Sequence, residues 1–207
     1  MSSPSIEQKV GSITVVTGCM FASKSSTLIG YYQKCQFAKR KCIVIKHSAD
    51  TRYHSTSDVG ITSSSGCGYI ISHDQIKVKA DYAITKMSDL KEDKKAQEDL
   101  ESAYMIIIEE GHFYDDGADF AEYWADKGKH IVVAGLISGQ KREPIMTMMR
   151  YLSKAENIIK LDALCTMCYE PATFTKLRDG MELGVGGAER YTVRCRKCYD
   201  KEYVEDK

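Results

Sequence analysis

Short apolar runs recur along the chain and are separated by longer segments that contain many polar residues. Each run is continuous rather than alternating and contains β-branched residues, which is typical of strands buried on both faces of a parallel sheet. The runs predict four or five parallel strands. They cover Ile13–Val16, Cys42–Lys46, Tyr104–Ile108, His130–Gly135 and Ile158–Leu161.

The segments between the runs have the composition of helices. We expect helix over Ser25–Lys41, Lys79–Ala103 and Asp119–Lys127, and Gly128 supplies a stop signal for the last of them. Strands that alternate with helices predict the α/β class, in which a parallel sheet is covered by helices. The segment Ser55–Gly68 is rich in serine and glycine and is expected to form a mobile loop.

Residues after Cys165 differ in character from the rest of the chain. They contain many turn-forming residues and no long helical pattern. We therefore expect two units, an α/β domain over residues 1–162 and a small module over residues 163–207.

The charges of the 207-residue chain balance, with 29 Lys and Arg residues against 29 Asp and Glu residues. A protein without net charge has no long-range electrostatic attraction to nucleic acid or to an anionic membrane, so neither is expected as a partner. The first nine residues hold no apolar stretch of the signal-peptide kind, and no apolar run approaches the roughly 20 residues that span a bilayer. These features predict a soluble, cytoplasmic protein in which any phosphate site is local.

The residues after the first strand resemble a phosphate-binding loop. They read G-C-M-F-A-S-K-S-S, to be compared with the pattern G-x-x-x-x-G-K-[ST]. Gly18, Lys24 and Ser25 match, and they supply a turn, a cation for the β- and γ-phosphates and a hydroxyl for Mg²⁺. The residues expected to contact the phosphates are Gly18, Met20, Phe21, Ala22, Ser23, Lys24, Ser25 and Ser26.

One position of this loop departs from the pattern, because Ser23 stands where the second glycine belongs. A non-glycine residue at positive φ costs on the order of 1 kcal/mol, which is a handicap and not an exclusion. The alternative interpretation is a surface turn in which a glycine and a lysine fall six residues apart. A buried strand before the loop and a helix after it favour phosphate binding.

Two adjacent glutamates, Glu109 and Glu110, directly follow the third apolar run. The carboxyl edge of a parallel sheet is where α/β proteins bind ligands. Successive strand residues point to opposite sides, so the two carboxylates are expected to have different tasks. We expect Glu109 to face the phosphate loop and hold Mg²⁺, and Glu110 to take a proton from an acceptor hydroxyl. Solvated glutamates at a strand end are the alternative.

Four of the eight cysteines form two C-x-x-C pairs that are separated by 26 residues. Tetrahedral zinc takes four thiolates at about 2.3 Å, and four protein ligands leave no open position, so the predicted zinc is structural. A redox pair and an iron–sulfur cluster are the alternatives. The predicted zinc ligands are Cys165, Cys168, Cys195 and Cys198. The scattered cysteines, which we expect to be ordinary small residues, are Cys19, Cys35, Cys42 and Cys67.

Together these motifs resemble those of the type II, or cytosolic-type, thymidine kinases. The resemblance runs from about Gly11 to Tyr199 and also includes the stretch Asp50–Tyr53 and the glycines around Val185–Ala188. It implies a P-loop nucleotide-binding domain over 1–162 and a zinc-binding lasso domain over 163–207. It further implies ATP and Mg²⁺ as cofactors, thymidine as the acceptor at its 5′-hydroxyl, and a homodimer or homotetramer.

The resemblance also implies roles for individual residues. Arg52 is expected near the phosphates as a catalytic residue, Glu109 at the family's magnesium-binding aspartate, and Glu110 as the general base. A lasso loop over Leu183–Thr192 is implied to hold the nucleoside through its main chain, although a plain hairpin turn is the alternative. The residues implied to contact the nucleoside are Met20, Phe113, Leu136, Thr175, Gly184, Val185, Gly186 and Tyr191.

The chain departs from the family pattern in ways that bear on the acceptor site. It has His112 where the family has glutamine, and L-I-S-G-Q over Leu136–Gln140 where the family has L-D-G-x-F. An acid and an aromatic side chain are therefore missing, and we expect the base pocket to be reshaped around Gln140.

Two other functions stay compatible with the sequence. Ser23, Ile137 and Gln140 fit a catalytically silent family member that binds nucleotide in a regulatory or scaffold role. A basic stretch over 190–197, with three arginines and a lysine, fits a zinc ribbon that binds nucleic acid. The phosphate loop and the balanced charge favour the deoxynucleoside kinase.

Overall fold

The strands and helices alternate along most of the chain. The computed structural model describes residues 10–48, 68–72, 75–178, 181 and 186–201. Its strands are β1 (Ser12–Gly18), β2 (Cys42–His47), β3 (Tyr69–Ile71), β4 (Lys77–Lys79), β5 (Tyr82–Ile84), β6 (Met105–Ile108), β7 (His130–Leu136), β8 (Asn157–Leu161), β9 (Ala163–Leu164), β10 (Pro171–Ala172), β11 (Phe174–Leu177) and β12 (Tyr191–Arg194). Its α-helices are α1 (Lys24–Phe37), α2 (Lys94–Ser102), α3 (Gly117–Asp126) and α4 (Met146–Leu152), and short 3₁₀ turns cover Met87–Leu90 and Gly111–Phe113.

The apolar runs pair side by side in one six-stranded sheet with the order β5-β2-β6-β7-β1-β8. Every pairing in this sheet is parallel. The carboxyl ends of β1, β6 and β7 therefore meet at one edge. The predicted α/β fold class is confirmed.

The sheet is covered on both faces because alternate side chains of each strand enter different apolar clusters. Ile13 and Val15 of β1 pack with α2, α3 and α4, whereas Val16 packs with α1 and the β3–β4 hairpin. Complete burial of a valine or isoleucine side chain stabilises the fold by about 1.5–3 kcal/mol. The continuous apolar runs thus reflect two buried faces, as the sequence predicted.

The sheet has one more strand than the upper expectation, because the helix predicted over Lys79–Ala103 is wrong in its first half. Residues 82–84 pair instead with residues 45–47 of β2 as the edge strand β5. The carboxylate of Asp81 accepts the Val44 N–H at 2.8 Å, and the Asp81 N–H donates back to the Val44 carbonyl. Backbone pairing with the sheet outweighs the helical charge pattern here.

Helix α2 begins only at Lys94, where Asp93 caps it by accepting the N–H groups of Lys95 and Ala96. Helix α1 ends at Phe37, four residues before the predicted end, because Lys39 adopts a left-handed backbone with φ 52°. Helix α3 spans Gly117–Asp126 and is followed by Gly128 at φ 80°, which agrees with the predicted stop signal.

After β8 the chain forms two short antiparallel pairs, β9 with β10 and β11 with β12. These strands and the four paired cysteines, over 163–201, are called the cysteine ribbon below. The predicted loop Ser55–Gly68 lies outside the described residues except for Gly68. None of the described helices has the length and apolar composition needed to span a bilayer.

Candidate active site

The phosphate loop connects the end of β1 to the start of α1. A Cβ atom at Gly18 would lie 2.4 Å from the carbonyl oxygen of Leu161, so the neighbouring strand admits only glycine there. Ser23 caps α1 with φ 60° and ψ 30°, the left-handed conformation that a glycine would adopt without strain. The Lys24 ammonium donates to the carbonyl of Cys19 at 2.7 Å and so folds back across the loop.

Ser25 and Glu109 bring two oxygen atoms together beneath this loop. The Ser25 hydroxyl donates to Glu109 Oε1 at 3.0 Å, and the Glu109 side chain is almost completely buried. A hydroxyl and a carboxylate are ligands of the hard kind that Mg²⁺ prefers, usually together with water and phosphate oxygens. The residues present therefore fit a magnesium ion at the edge of β6.

The other oxygen of Glu109 faces Lys46, a residue that the sequence interpretation treated only as the end of an apolar run. The ammonium of Lys46 lies 3.5 Å from Glu109 Oε2 and donates to the Tyr69 carbonyl at 3.3 Å. The side chain of Lys46 is 2% exposed. Buried charges of this kind persist when they are paired. A lysine inside an otherwise apolar strand was the signal that could have identified it.

Glu110 turns the chain away from β6. Its backbone is left-handed, with φ 52° and ψ 46°, and it leads into the 3₁₀ turn at Gly111. A Cβ at Gly111 would lie 2.3 Å from Val133 Cγ2, so the turn packs closely on β7. A left-handed backbone conformation at a non-glycine residue costs of order 1–3 kcal/mol, and residues in this conformation are concentrated at functional sites.

His112 fills the space between Glu110 and β7. Its Nδ1 accepts the Leu136 N–H at 3.4 Å and lies 3.4 Å from Glu110 Oε2. Its ring also packs on Phe113, with ring centroids 4.2 Å apart. His112 therefore contacts the carboxylate and one apolar wall of the same site.

A cavity of about 520 Å³ joins the phosphate loop to Glu110 and to the cysteine ribbon. Gly18 and Glu109 do not line it, and Arg52, Gly184 and Val185 lie outside the described residues. The predicted residues that line the cavity are Met20, Phe21, Ala22, Ser23, Lys24, Ser25, Ser26, Glu110, Phe113, Leu136, Thr175, Gly186 and Tyr191.

Further lining residues come from two hairpins, and one of them contains a stretch that the family pattern pointed to, Leu136–Gln140. Ile71, Ser72 and Gln75 belong to the β3–β4 hairpin. Ser138, Gly139, Gln140 and Ile145 follow β7, and of these only Gln140 was singled out from the sequence. These residues are brought to the cavity by long-range packing, for which spacing along the chain gives no signal.

The cysteine ribbon packs directly on the phosphate loop. Thr175 Oγ1 accepts the Met20 N–H at 3.0 Å. Cys19 and Ala22 share an apolar cluster with residues of the ribbon, which are Cys165, Ala172, Val193 and Cys198. The loop is thus supported by α1 on one side and by the ribbon on the other.

The four paired cysteines converge at the base of the ribbon. Their sulfur atoms all lie within 4.8 Å of one another, and Cys168 Sγ is 3.6 Å from Cys195 Sγ. Tetrahedral zinc–thiolate geometry separates the sulfurs by about 3.8 Å. Burial opposes ionisation of Cys165, but surrounding backbone N–H groups outweigh it and lower the pKa of this thiol to about 6, whereas burial and the neighbouring thiols raise the pKa of Cys198 to about 12. The donor set therefore fits a closed, structural zinc site.

The chain matches known proteins over most of its length. The family model described as thymidine kinase matches residues 11–199. Thymidine kinase 1 of Dictyostelium discoideum is 34% identical over 203 residues, covering 97% of this chain and 82% of that protein. The thymidine kinase of Rabbit fibroma virus (strain Kasza) is 37% identical over 191 residues, covering 91% of this chain and 96% of that protein.

A human relative is similar to the chain over a comparable number of residues. The cytosolic thymidine kinase of Homo sapiens is 37% identical over 195 residues, which cover 93% of this chain and 74% of that protein. The resemblance read from the phosphate loop, the glutamate pair and the cysteine pairs is thereby confirmed. The chain belongs to the thymidine kinase family.

Proposed function

We propose that the protein transfers the γ-phosphate of ATP to the 5′-hydroxyl of thymidine. Family membership supports a kinase that acts on a nucleoside. The observation that carries the proposal is the shared cavity, whose lining includes both Lys24 and Ser25 of the phosphate loop and the carboxylate residue Glu110. A phosphate donor and a hydroxyl acceptor can meet only where both kinds of group face the same space.

The phosphate end of the cavity is suited to a nucleoside triphosphate. The first turn of α1 directs main-chain N–H groups and the positive end of the helix dipole toward the loop. Lys24 adds a cation, and Ser25 with Glu109 would hold Mg²⁺, which when bound neutralises charge on the phosphate oxygens. Arg52 is proposed to add a second cation there, in a segment outside the described residues.

Glu110 is proposed to be the general base. Its carboxylate lines the cavity and belongs to a residue with a left-handed backbone, and His112 Nδ1 lies 3.4 Å from it. In this position it can accept the proton of the acceptor hydroxyl as the phosphoryl group arrives. Positioning and electrostatics supply most of the catalysis in such reactions, so fixed backbone geometry at the base is an advantage.

The nucleoside end of the cavity is proposed to hold the base between apolar walls. Phe113 and Leu136 supply these walls, and Thr175, Gly186 and Tyr191 face the cavity from the cysteine ribbon. Gly184 and Val185 are proposed to continue the ribbon side. Gln140 lies where the family pattern has an aromatic residue, so the base is read here partly by a polar amide.

We further propose that residues 1–162 and 163–207 act as a nucleotide-binding domain and a zinc-binding lasso domain. The protein is proposed to act in the cytoplasm as a homodimer or homotetramer. Relatives named as cytosolic thymidine kinases support the location.

The two alternatives have less support. No finding favours a catalytically silent family member. The basic stretch that suggested nucleic-acid binding is not a continuous surface, because Arg194 is 3% exposed and donates to the Thr192 hydroxyl at 3.1 Å. Arg196 lies over the ring of Phe174 at 5.2 Å.

Phosphorylation of each deoxynucleoside by purified protein with Mg²⁺ and ATP tests the proposal. We expect the wild type to form thymidine monophosphate and Glu110→Gln to be slower by roughly 10²–10⁴-fold, because general-base catalysis is lost. Glu122→Gln, at an exposed position on α3, is the matched control and should keep full activity. Absence of activity on every nucleoside would refute the kinase, whereas equal rates for wild type and Glu110→Gln would refute only the base assignment.

A further inference from the structure

A short hairpin after β7 forms one wall of the nucleoside end of the cavity. It spans residues 137–145, and the Ile145 N–H donates to the Ile137 carbonyl at 3.1 Å. The Gly139 N–H donates to the Glu143 carbonyl at 2.9 Å, nearer the tip. This segment is called the pocket hairpin below. Its residues Ser138, Gly139 and Gln140 line the cavity.

Arg142 lies at the tip of the pocket hairpin and reaches the cysteine ribbon. Its guanidinium carbon is 4.5 Å from the ring centroid of Tyr199 and 5.6 Å from that of Phe174. Its Nη2 also lies 3.8 Å from Asp200 Oδ1. A guanidinium within about 6 Å of an aromatic centroid is attracted by the negative face of the ring.

The two aromatic residues are part of the functional framework of the ribbon. Tyr199 directly follows the predicted zinc ligand Cys198, and Phe174 directly precedes Thr175, which accepts the Met20 N–H. The two rings pack edge to face with centroids 5.6 Å apart. Lys176 donates to the Tyr199 carbonyl at 2.9 Å and holds that residue from the ribbon side.

We propose that Arg142 is a positioning residue that docks the pocket hairpin onto the cysteine ribbon and thereby sets the shape of the nucleoside end of the cavity. The proposal rests on the proposed function for its substrate. A hairpin tip that is anchored on aromatic rings is already ordered before the substrate binds. Substrate binding then costs less conformational entropy. Gln140, two residues from the anchor, is presented to the base by this docking.

The docking affects the two substrates unequally. The pocket hairpin supplies Ser138 to Gln140 to the nucleoside end, whereas the phosphates are held by the loop between β1 and α1. Loss of Arg142 should therefore weaken the nucleoside interaction and leave the ATP interaction nearly unchanged. Lysine should replace arginine only in part, because its ammonium lacks the planar group that stacks on a ring.

Steady-state kinetics with each substrate varied in turn tests the proposal. We expect Arg142→Leu to lower kcat/KM for thymidine by about five- to tenfold, mostly through KM, and kcat/KM for ATP by less than about twofold. Arg142→Lys should lie between it and the wild type. Tyr199→Phe keeps the ring and should retain activity, and Arg150→Leu, on α4 and paired with Asp119, is the matched control.

Hydrogen–deuterium exchange tests the docking without relying on activity. Residues 137–145 should exchange faster in Arg142→Leu than in the wild type, and chelation of the metal should speed their exchange in the wild type but not further in Arg142→Leu. Unchanged thymidine kinetics and unchanged exchange in a folded Arg142→Leu protein would overturn the proposal. If the wild type phosphorylates no nucleoside, the proposed function fails, and the exchange result alone decides whether the hairpin is docked by Arg142.

Discussion

Besides Phe21 and Gln75, two further non-glycine residues that line the cavity, Ser23 and Glu110, have left-handed backbones, with φ 60° and φ 52°. Both lie where a strand gives way to a helical turn, and both line the cavity. An L-residue in this region is less stable by roughly 1–2 kcal/mol than in the right-handed region. The site therefore carries backbone strain that packing around the loop and the turn must offset.

Ser23→Gly should relieve part of this strain. We expect the free energy of unfolding to rise by up to about 1 kcal/mol and phosphoryl transfer to be unchanged or faster. Urea denaturation and initial rates measure the two effects, and Ser23→Ala, which keeps the strain and removes the hydroxyl, is the control. Complete loss of activity in a folded Ser23→Gly protein would show that the hydroxyl itself takes part in the reaction.

Asp116 provides a residue-scale prediction for pH. Burial opposes its ionisation, but the N–H groups of Met87 and Ser88 donate to its carboxylate at 3.0 and 2.8 Å and hold its pKa below the usual value. A lowered pKa stabilises the fold fully above the unfolded value of about 3.9, and this contribution is lost as the pH falls through the folded value. Asp116→Asn should lower the free energy of unfolding at pH 7 by about 1 kcal/mol.

The same variant should show a smaller fall in stability than the wild type when the pH is lowered below about 4. Denaturation at pH 7, 5 and 3.5 compares the two proteins. Parallel pH profiles would mean that the Asp116 carboxylate is not the group responsible.

At the scale of elements, the site is built where β2 and β6 end side by side. Lys46 of β2 and Glu109, which directly follows β6, are both buried and form an ion pair at the ends of the two strands. Removal of one partner of a buried pair leaves the other charge uncompensated, which typically costs 3–5 kcal/mol. The pair thus links the stability of the sheet to the predicted magnesium ligand.

A double-mutant cycle tests this link. Lys46→Met should destabilise the protein by about 3–5 kcal/mol, whereas Lys46→Met combined with Glu109→Gln should cost much less than the sum of the two single changes. Chemical denaturation gives the free energies, and Lys79→Met, at an exposed position of β4, is the control. Additive effects would show that the two side chains do not stabilise each other.

The elements differ in how well the sequence predicted them. Val15, Ile107 and Val132 lie in short continuous apolar runs. Such runs rarely form anything other than buried strands. The local charge pattern predicts helix for residues 82–84 because their pairing partner, β2, lies 37 residues earlier and leaves no local signal. Glu109 and Glu110 directly follow an apolar run, so their place at the edge of the sheet could be predicted, whereas the partners of Lys46 and Arg142 are distant in the chain and could not.

At the scale of the whole molecule, the cysteine ribbon and the phosphate loop share one apolar cluster. Loss of the predicted zinc should therefore affect both substrates and not the nucleoside alone. In metal analysis of reduced protein we expect about one zinc ion per chain in the wild type and none in Cys195→Ser.

The Cys195→Ser protein should also lose at least tenfold in kcat/KM for thymidine and bind ATP more weakly. Cys35→Ala, on the buried face of α1, is the control and should keep its zinc. Full zinc occupancy in Cys195→Ser would contradict the predicted ligand set, and iron in place of zinc would support the cluster alternative.

The strand order has a consequence for how the protein is made. Of the described strands β1 is synthesised first, yet both of its neighbours in the sheet, β7 and β8, lie beyond residue 129. At about 5–20 residues per second, synthesis leaves β1 without either neighbour for on the order of 10 s. The nascent chain therefore contains an unpaired apolar strand that is prone to aggregate. A chain truncated before residue 130 lacks both of the strands that pair with β1.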